Sequence, residues 1–156
     1  MVPDCSWSVS LLLGYYCLAN TARANQYPCP RGTFNNVTGA SDDSYCQPCL
    51  GGMYCDQDGL AEPAGYCDAG YYCTSGSNSS SPSLGVQADE CTTGHYCPMG
   101  SVTPQACPPG TYNSATQRQD VSECTNCTGG RYCPSWSMTA HGALCDAGEA
   151  LDAYTH

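Results

Sequence analysis

The residues best suited to chemistry in this sequence are its cysteines, which number 15 in 156 residues. They recur with two spacings, Cys-x5-Cys and Cys-x2-Cys, and cysteines so spaced serve as disulfides, zinc ligands or redox centres. Structural zinc sites pair two Cys-x2-Cys knuckles about 12 to 20 residues apart. Here the knuckles, Cys46/Cys49 and Cys124/Cys127, lie 78 residues apart, and neither is set in the βαβ pattern of a redox domain. The spacing therefore favours disulfide bonds.

The composition also favours a covalently stapled chain. Leu, Ile, Val and Phe make up roughly a tenth of the sequence, below the roughly 20% found in domains that fold around an apolar core. A chain with so few aliphatic residues and a formal charge of -10 is either disordered or cross-linked. The cysteine content indicates cross-links, and disulfides persist in oxidising compartments, so we expect a secreted or extracellular protein.

The charge balance narrows the choice of partners. The chain has four basic and 14 acidic residues. It therefore lacks the basic surface that nucleic acid requires, and an anionic membrane would repel it. The acids form no twelve-residue calcium loop, which favours a solvated surface over a calcium site, the weaker alternative. We expect no cofactor other than covalent glycans, and no membrane insertion, because the apolar runs are short and interrupted.

The sequence repeats at two scales. At an offset of 78 residues five cysteines coincide, and Cys29-Pro30-x-Gly32 aligns with Cys107-Pro108-x-Gly110. Such repetition predicts an array whose units contact mainly their neighbours. A shorter pattern, Gly-x-Tyr-Cys, occurs five times, ending at Cys17, Cys55, Cys73, Cys97 and Cys133.

Each residue of the Gly-x-Tyr-Cys pattern has an expected role. The glycine would form a tight turn into the cysteine. The tyrosine would lay its ring over a neighbouring disulfide in place of an aliphatic core, with carbohydrate stacking as the weaker alternative. We therefore expect a small disulfide-rich fold, an elongated tandem array of short two-stranded β-ribbon units with almost no helix.

The repeats define an expected domain organisation. Within 1–28, the sequence Ala22-Arg23-Ala24 has the form of a signal-peptidase site, but Gly14 to Cys17 fit the repeat, which we favour. A Ser-rich spacer within 74–90 is expected to be flexible. The expected segments are a partial first repeat over 1–28, a full repeat over 29–106, a truncated repeat over 107–148 and an irregular tail over 149–156.

The combined motif Cys-Pro-x-Gly-Thr-(Phe/Tyr), Cys-x2-Cys and Gly-x-Tyr-Cys resembles the ephrin-receptor-like cysteine-rich repeats. These are relatives of EGF-like and tumour-necrosis-factor-receptor-like modules, and the similarity covers about Gly14 to Gly148. The family occurs in receptor ectodomains and in long surface proteins of algae and other protists. The resemblance implies an elongated rod of stapled β-ribbons and fixes no ligand.

The repeat pattern suggests sets of four cysteines joined first to third and second to fourth. Each bridge would close a loop of about 15–30 residues and contribute about 3 kcal/mol. Cys133 would be unpaired or intermolecular, because Leu151 stands at its partner position. A competing scheme joins Cys29 to Cys46 and Cys107 to Cys124. The hypothesised pairs are Cys5–Cys29, Cys17–Cys46, Cys49–Cys67, Cys55–Cys73, Cys91–Cys107, Cys97–Cys124 and Cys127–Cys145.

No residue pattern indicates an enzyme. His95 occupies the variable position of Gly-x-Tyr-Cys, and His141 has no partner that the sequence identifies. There is no Gly-x-Ser-x-Gly motif and no phosphate-binding loop. In a secreted protein the three sequons, at Asn36, Asn78 and Asn126, are candidate sites for N-linked glycans.

Two functions remain. The one we favour is an extracellular structural role, as a glycosylated, disulfide-stapled subunit or segment of a surface fibre such as a flagellar hair or a wall or coat fibril. Its partners would be copies of itself or other extracellular repeat proteins. The alternative is an adhesion or receptor ectodomain fragment that binds a protein or a glycan, with Trp136 as the candidate contact.

Overall fold

The fold is that of a small, disulfide-rich protein built from β-ribbons, as expected from the sequence. The computed structural model describes residues 12–19, 21, 23, 25–83 and 88–142, so the expected tail at 149–156 lies outside the described residues. Within these residues regular structure is limited to twelve strands of two or three residues and two single-turn 3-10 helices. Few side chains of these short elements are fully buried, which suits a chain with few aliphatic residues.

The twelve strands pair as six antiparallel two-stranded ribbons, each formed by neighbours in sequence. The 3-10 helices, Asp43–Tyr45 and Val121–Glu123, lie just before β4 and β12. The ribbons are β1 (Tyr15–Tyr16) with β2 (Tyr27–Pro28), β3 (Thr33–Phe34) with β4 (Gln47–Pro48), β5 (Met53–Tyr54) with β6 (Gly65–Tyr66), β7 (Tyr71–Cys73) with β8 (Ala88–Glu90), β9 (His95–Tyr96) with β10 (Gln105–Ala106), and β11 (Thr111–Tyr112) with β12 (Thr125–Asn126).

Each ribbon belongs to a repeating unit with a glycine at the start of its hairpin. In unit 3, for example, Gly52 has φ +77°, a left-handed conformation that costs glycine little and reverses the chain three residues after Cys49. Units 2 to 5 together make up the 78-residue repeat found in the sequence. The units are unit 1 (12–28), unit 2 (29–48), unit 3 (49–66), unit 4 (67–90), unit 5 (91–106), unit 6 (107–126) and unit 7 (127–142).

Consecutive units are joined by the same set of three backbone hydrogen bonds. Between units 3 and 4, the Gly52 N–H donates to the Cys73 carbonyl at 2.7 Å and the Gly76 N–H donates to the Cys49 carbonyl at 2.8 Å. The third bond runs from the Cys55 N–H to the Ser77 carbonyl at 2.9 Å. The equivalent three bonds occur at every junction from unit 2 to unit 7. These backbone groups have no partner within their own two-stranded ribbon. They form hydrogen bonds with the neighbouring unit instead.

Units two apart in sequence also touch. A Cβ atom added to Gly52 in unit 3 would lie 2.3 Å from the carbonyl oxygen of Gly100 in unit 5. A Cβ atom added to Gly70 in unit 4 would lie 2.7 Å from the carbonyl oxygen of Gln117 in unit 6. The hairpin glycine is therefore required by close packing as well as by its backbone conformation. Each unit contacts the next and the next but one, which makes the array quasi-one-dimensional.

The interior consists mainly of disulfides. Of the 14 buried hydrophobic residues, 11 are cysteines. Phe34 packs against Cys49 and Cys55 of the next unit, and Tyr54 packs against the cluster of Cys67 and Cys73. The Tyr54 contact confirms, for this copy of Gly-x-Tyr-Cys, the predicted packing of the tyrosine against a neighbouring disulfide, and Phe34 packs in the same way although it lies outside that pattern.

The prediction of a flexible Ser-rich spacer is wrong for the segment between residues 75 and 80. Ser77 is 3% exposed, and its carbonyl accepts from the Cys55 N–H. The Ser75 hydroxyl donates to the Cys49 carbonyl at 3.1 Å, and the Asp68 N–H donates to the Ser80 carbonyl at 2.8 Å. The segment packs because it forms the second turn of unit 4, a role that its composition does not reveal.

Candidate functional site

The cysteines pair locally. In four units the cysteine that begins the unit bonds to the cysteine six residues later, with Cα atoms 5.8 to 6.3 Å apart. The left-handed glycine between them turns the chain back on itself, which brings the two Cα atoms within disulfide range. The pairs are Cys49–Cys55, Cys67–Cys73, Cys91–Cys97 and Cys127–Cys133.

Units 2 and 6 pair their cysteines differently. Cys29 bonds to Cys46 and Cys107 bonds to Cys124, each across 17 residues, with Cα atoms 5.4 and 5.8 Å apart. In both units the position six residues after the first cysteine is an asparagine, so the local partner is missing. The competing scheme from the sequence is therefore confirmed for these two bridges.

The first-to-third pairing scheme is wrong, because every pair in it includes a cysteine that bonds elsewhere. Cys133 is not unpaired, since it bonds to Cys127. Cys17 is also disulfide-bonded, whereas Cys5 and Cys145 lie outside the described residues. The scheme failed because it treated the six-residue spacing as an interval between bridges rather than as one bridge. The overturned pairs are Cys5–Cys29, Cys17–Cys46, Cys49–Cys67, Cys55–Cys73, Cys91–Cys107, Cys97–Cys124 and Cys127–Cys145.

Two buried asparagines replace the missing local disulfides. Asn35 is 1% exposed; its side-chain amide donates to the Tyr15 carbonyl at 3.0 Å and its carbonyl oxygen accepts from the Val37 N–H at 2.9 Å. Asn113 makes the equivalent bonds to the His95 carbonyl and from the Ala115 N–H. These hydrogen bonds tie units 2 and 6 to the units before them. The cysteine spacing did not predict this role, for which the recurrence of Asn at the cysteine position was the signal in the sequence.

Three carboxylates stabilise the turns that lie just before Cys46 and Cys124, the second cysteines of the two 17-residue bridges. The backbone N–H of Gln119, assisted by the Arg118 guanidinium, holds the pKa of Glu123 below its usual value. Arg118 Nη1 and Glu123 Oε1 are 2.9 Å apart. Hydrogen bonds from Ser44 lower the pKa of Asp42, and the Ser122 N–H lowers the pKa of Asp120. These acids cap the two 3-10 helices, so their charges serve local structure.

His95 makes a contact with unit 7 that its position in the repeat did not predict. Its Nδ1 lies 3.0 Å from the Thr93 carbonyl oxygen, and its Nε2 lies 3.1 Å from the Ser137 hydroxyl oxygen. A serine hydroxyl on an imidazole can begin nucleophilic catalysis. However, Gln117 contacts Tyr71 at the corresponding place one unit earlier, so we interpret the His95–Ser137 pair as a packing contact.

The structure places the remaining predicted site residues at the surface. The three sequon asparagines Asn36, Asn78 and Asn126 are exposed and lie in units 2, 4 and 6. Trp136 in unit 7 is 63% exposed. Among the described residues no three His, Cys, Asp or Glu side chains are grouped to hold a metal ion. A search of the same part of the chain finds no helix long and apolar enough to cross a membrane.

Comparison with known proteins assigns this chain to no family. No protein-family model matches the chain, and no curated protein matches it in sequence. The bonded state of the thirteen described cysteines is typical of a secreted or extracellular protein.

Proposed function

We propose that this chain is an extracellular structural protein, a glycosylated and disulfide-stapled subunit or segment of a surface fibre such as a flagellar hair or a wall or coat fibril. The proposal draws in part on the resemblance of the cysteine motifs to the ephrin-receptor-like repeats. The main support is that every junction between consecutive units, from unit 2 to unit 7, contains the same three backbone hydrogen bonds. Identical junctions suit a spanning element, because each added unit extends the array with the same geometry.

The distribution of bonds supports a mechanical role. Tension along such an array is shared between inter-unit hydrogen bonds and disulfides that lie inside single units, so a broken junction leaves the covalent rings intact. Buried cysteines also resist reductants, since Cys49, Cys55, Cys67 and Cys73 have no exposed surface. The absence of lysine from the whole sequence would further protect the chain from trypsin-like proteases.

Electron microscopy of the native, unreduced protein tests this proposal. We expect long filaments with a regular axial repeat at neutral pH. Dispersed short particles at high protein concentration would contradict a fibre and would favour an adhesion or receptor ectodomain, for which the exposed Trp136 is the candidate contact. In that case a Trp136→Ala variant, with Tyr45→Ala as an exposed aromatic control in unit 2, would be assayed for lost partner binding.

Glycosylation is a separate part of the proposal. The exposure of Asn36, Asn78 and Asn126 supports attachment of N-linked glycans at all three sequons. Mass spectrometry of the native protein before and after enzymatic deglycosylation would count the occupied sites. Each Asn→Gln variant should lose one glycan mass, and an unchanged mass for all three variants would contradict glycosylation.

A further inference from the structure

The contacts between units two apart divide the array into two rows. Units 3 and 5 meet where Gly52 approaches the Gly100 carbonyl, and units 4 and 6 meet where Gly70 approaches the Gln117 carbonyl. Units 5 and 7 meet in the same way at Gly94, where an added Cβ atom would lie 2.3 Å from the Ser137 carbonyl oxygen. Odd-numbered units therefore stack on one another, and so do even-numbered units. We call these stacks the odd row and the even row.

Units 3 and 5 of the odd row bring four exposed apolar side chains to their junction. The Val102 side chain lies over Gly51, since an added Cβ atom there would be 3.1 Å from Val102 Cγ1. The Tyr66 ring lies over Gly100, with its Cδ1 3.2 Å from an added Cβ atom. Leu50 and Met99 flank these glycines. The odd-row patch is thus formed by four exposed side chains, namely Leu50 (54% exposed), Tyr66 (61%), Met99 (70%) and Val102 (47%).

The charges of the chain avoid the centre of this patch. Unit 5, which supplies Met99 and Val102, contains no Asp, Glu, Lys or Arg, although the chain as a whole has a formal charge of -10. Unit 3, which supplies Leu50 and Tyr66, carries Asp56, Asp58 and Glu62, and the even-row units each carry at least two acidic residues. Copies of an acidic chain repel one another over most of their surface. Unit 5 is therefore the part of the odd-row patch where two copies approach without opposing charges.

The even row differs from the odd row in its sequons and in the charges near its apolar side chains. It holds all three exposed sequon asparagines, so glycans attached there would leave the odd row uncovered. Its exposed apolar side chains are dispersed among charges. Tyr45 follows Asp42 and Asp43 within the first 3-10 helix segment, and Val121 follows Asp120 in the second. These residues do not form an uncharged surface comparable with the odd-row patch.

We propose that the odd-row patch is the surface through which two copies of this chain pack side by side. This proposal rests on the proposed fibre function and specifies how neighbouring strands of the fibre would adhere. An apolar, uncharged patch is complementary to itself, as an isologous two-fold contact requires. Apolar burial would drive the association, and even-row glycans and acids would face away from it. Anionic membranes are unsuitable occupants because they repel an acidic chain.

Sedimentation velocity of the full, unreduced chain tests the surface. The wild type should form dimers whose association tightens as salt increases, because salt screens the repulsion between acidic copies while the apolar contact persists. A Met99→Glu/Val102→Glu double variant places two charges in the patch and should weaken dimerisation at least tenfold. Wild-type dimers that dissociate with added salt, or that the double variant leaves unchanged, would overturn the proposal.

A matched control separates the patch from a general charge effect. Thr116 is exposed and occupies in unit 6 the position that Met99 occupies in unit 5, namely the residue before the second left-handed turn. Ser114 is another exposed residue of unit 6. A Thr116→Glu/Ser114→Glu variant adds the same charge to the even row and should dimerise like the wild type. Equal weakening in both variants would contradict a specific surface.

The outcome is distinguishable from failure of the fibre proposal. If native filaments form but the Met99→Glu/Val102→Glu variant packs laterally as the wild type does, the odd-row patch is wrong and the fibre function stands. If no filaments form and the same variant abolishes a wild-type dimer, the surface stands without the fibre. A monomeric wild type that shows only capture of glycan or another protein at the patch would overturn self-association. Far-UV circular dichroism and the disulfide map would establish that each variant is folded.

Discussion

Gln117 Nε2 donates a hydrogen bond to the Tyr71 hydroxyl at 3.0 Å, although 46 positions separate the two residues. Tyr71 follows the hairpin glycine of unit 4, and Gln117 forms the second left-handed turn of unit 6 with φ +60°. His95 and Ser137 make the same contact between units 5 and 7. Where a non-glycine residue holds this strained turn, its side chain bonds to the unit two before it, which offsets part of the backbone cost.

The stacking of alternate units predicts an unequal response to alanine at two left-handed glycines. Gly52→Ala and Gly39→Ala should both lose about 1–2 kcal/mol from the backbone conformation alone. Gly52→Ala should lose a further 1–3 kcal/mol, roughly the cost of overpacking, because the new Cβ meets the Gly100 carbonyl. Denaturant unfolding with intact disulfides measures both. Gly39 is the control, since no atom of the described residues lies within 4 Å of an added Cβ there. Equal losses would contradict the stacking.

The local disulfides predict a simple proteolytic result. None of the six bridges among the described residues crosses the bond before Asp58, which is exposed, or the bond before Asp89. Cleavage on the amino side of Asp58 and Asp89 by an Asp-specific protease should therefore release 58–88, whose two cysteines bond to each other, on a denaturing, non-reducing gel. Cleavage before Asp120 is the internal control, because the Cys107–Cys124 bridge holds those fragments together until reduction. A 58–88 stretch that stays joined to the rest of the chain without reductant would contradict the local pairing, as a Cys49–Cys67 bridge would require.

The buried asparagine of unit 2 is predicted to contribute more than its exposed neighbour. Asn35→Ala removes the part-buried hydrogen bonds to the Tyr15 carbonyl and from the Val37 N–H, each of which contributes about 0.5–1.5 kcal/mol. Asn36→Ala should change the free energy of unfolding by less than about 0.5 kcal/mol, because its side chain is exposed. Both variants would be compared as unglycosylated chains by denaturant unfolding. Similar losses for the two would mean that Asn35 does not replace a disulfide.

Acid should weaken the segment that contains Glu123. The folded state lowers the pKa of this carboxyl, so its contribution to stability is complete above the unfolded value of about 4.3 and is lost as pH falls through the lower folded value. Thermal unfolding of the wild type should therefore move to lower temperature below about pH 4. Glu123→Gln should shift less with pH across this range, while Glu62→Gln, at an exposed site, should follow the wild type. Identical pH profiles for all three proteins would contradict the assignment.

The β-ribbon fold could be predicted because its determinants are local. Cysteine density, glycine punctuation and the Gly-x-Tyr-Cys pattern all act within one hairpin, and the pattern correctly placed a turn before Cys55 and an aromatic ring over a disulfide at Tyr54. The disulfide partners could not be predicted from spacing alone. Whether Cys29 bonds to a residue 6 or 17 positions away depends on the residue that stands at position 35 and on the 3-10 helix before Cys46.

The candidate surface residues were also only partly predictable from the sequence. Sequence alone identified the sequons and Trp136, since each is a short motif or a single conspicuous residue. It did not place Tyr66 beside Gly100 or Gly51 beside Val102, because these residues lie in units 3 and 5, which are separated in sequence by unit 4. The Ser-rich segment was misread for the same reason, as Ser77 becomes buried only against unit 3.

The sequence by itself determined the repeating hairpin, the replacement of an aliphatic core by cysteines and the acidic, lysine-free surface. These properties depend on residue type and on spacings shorter than one unit. The tertiary structure decided which cysteines bond, which asparagines are buried and which exposed side chains share a row. The physical reason is that a one-dimensional array fixes such relationships through contacts between units one and two steps apart, and a pattern within one unit does not specify those contacts.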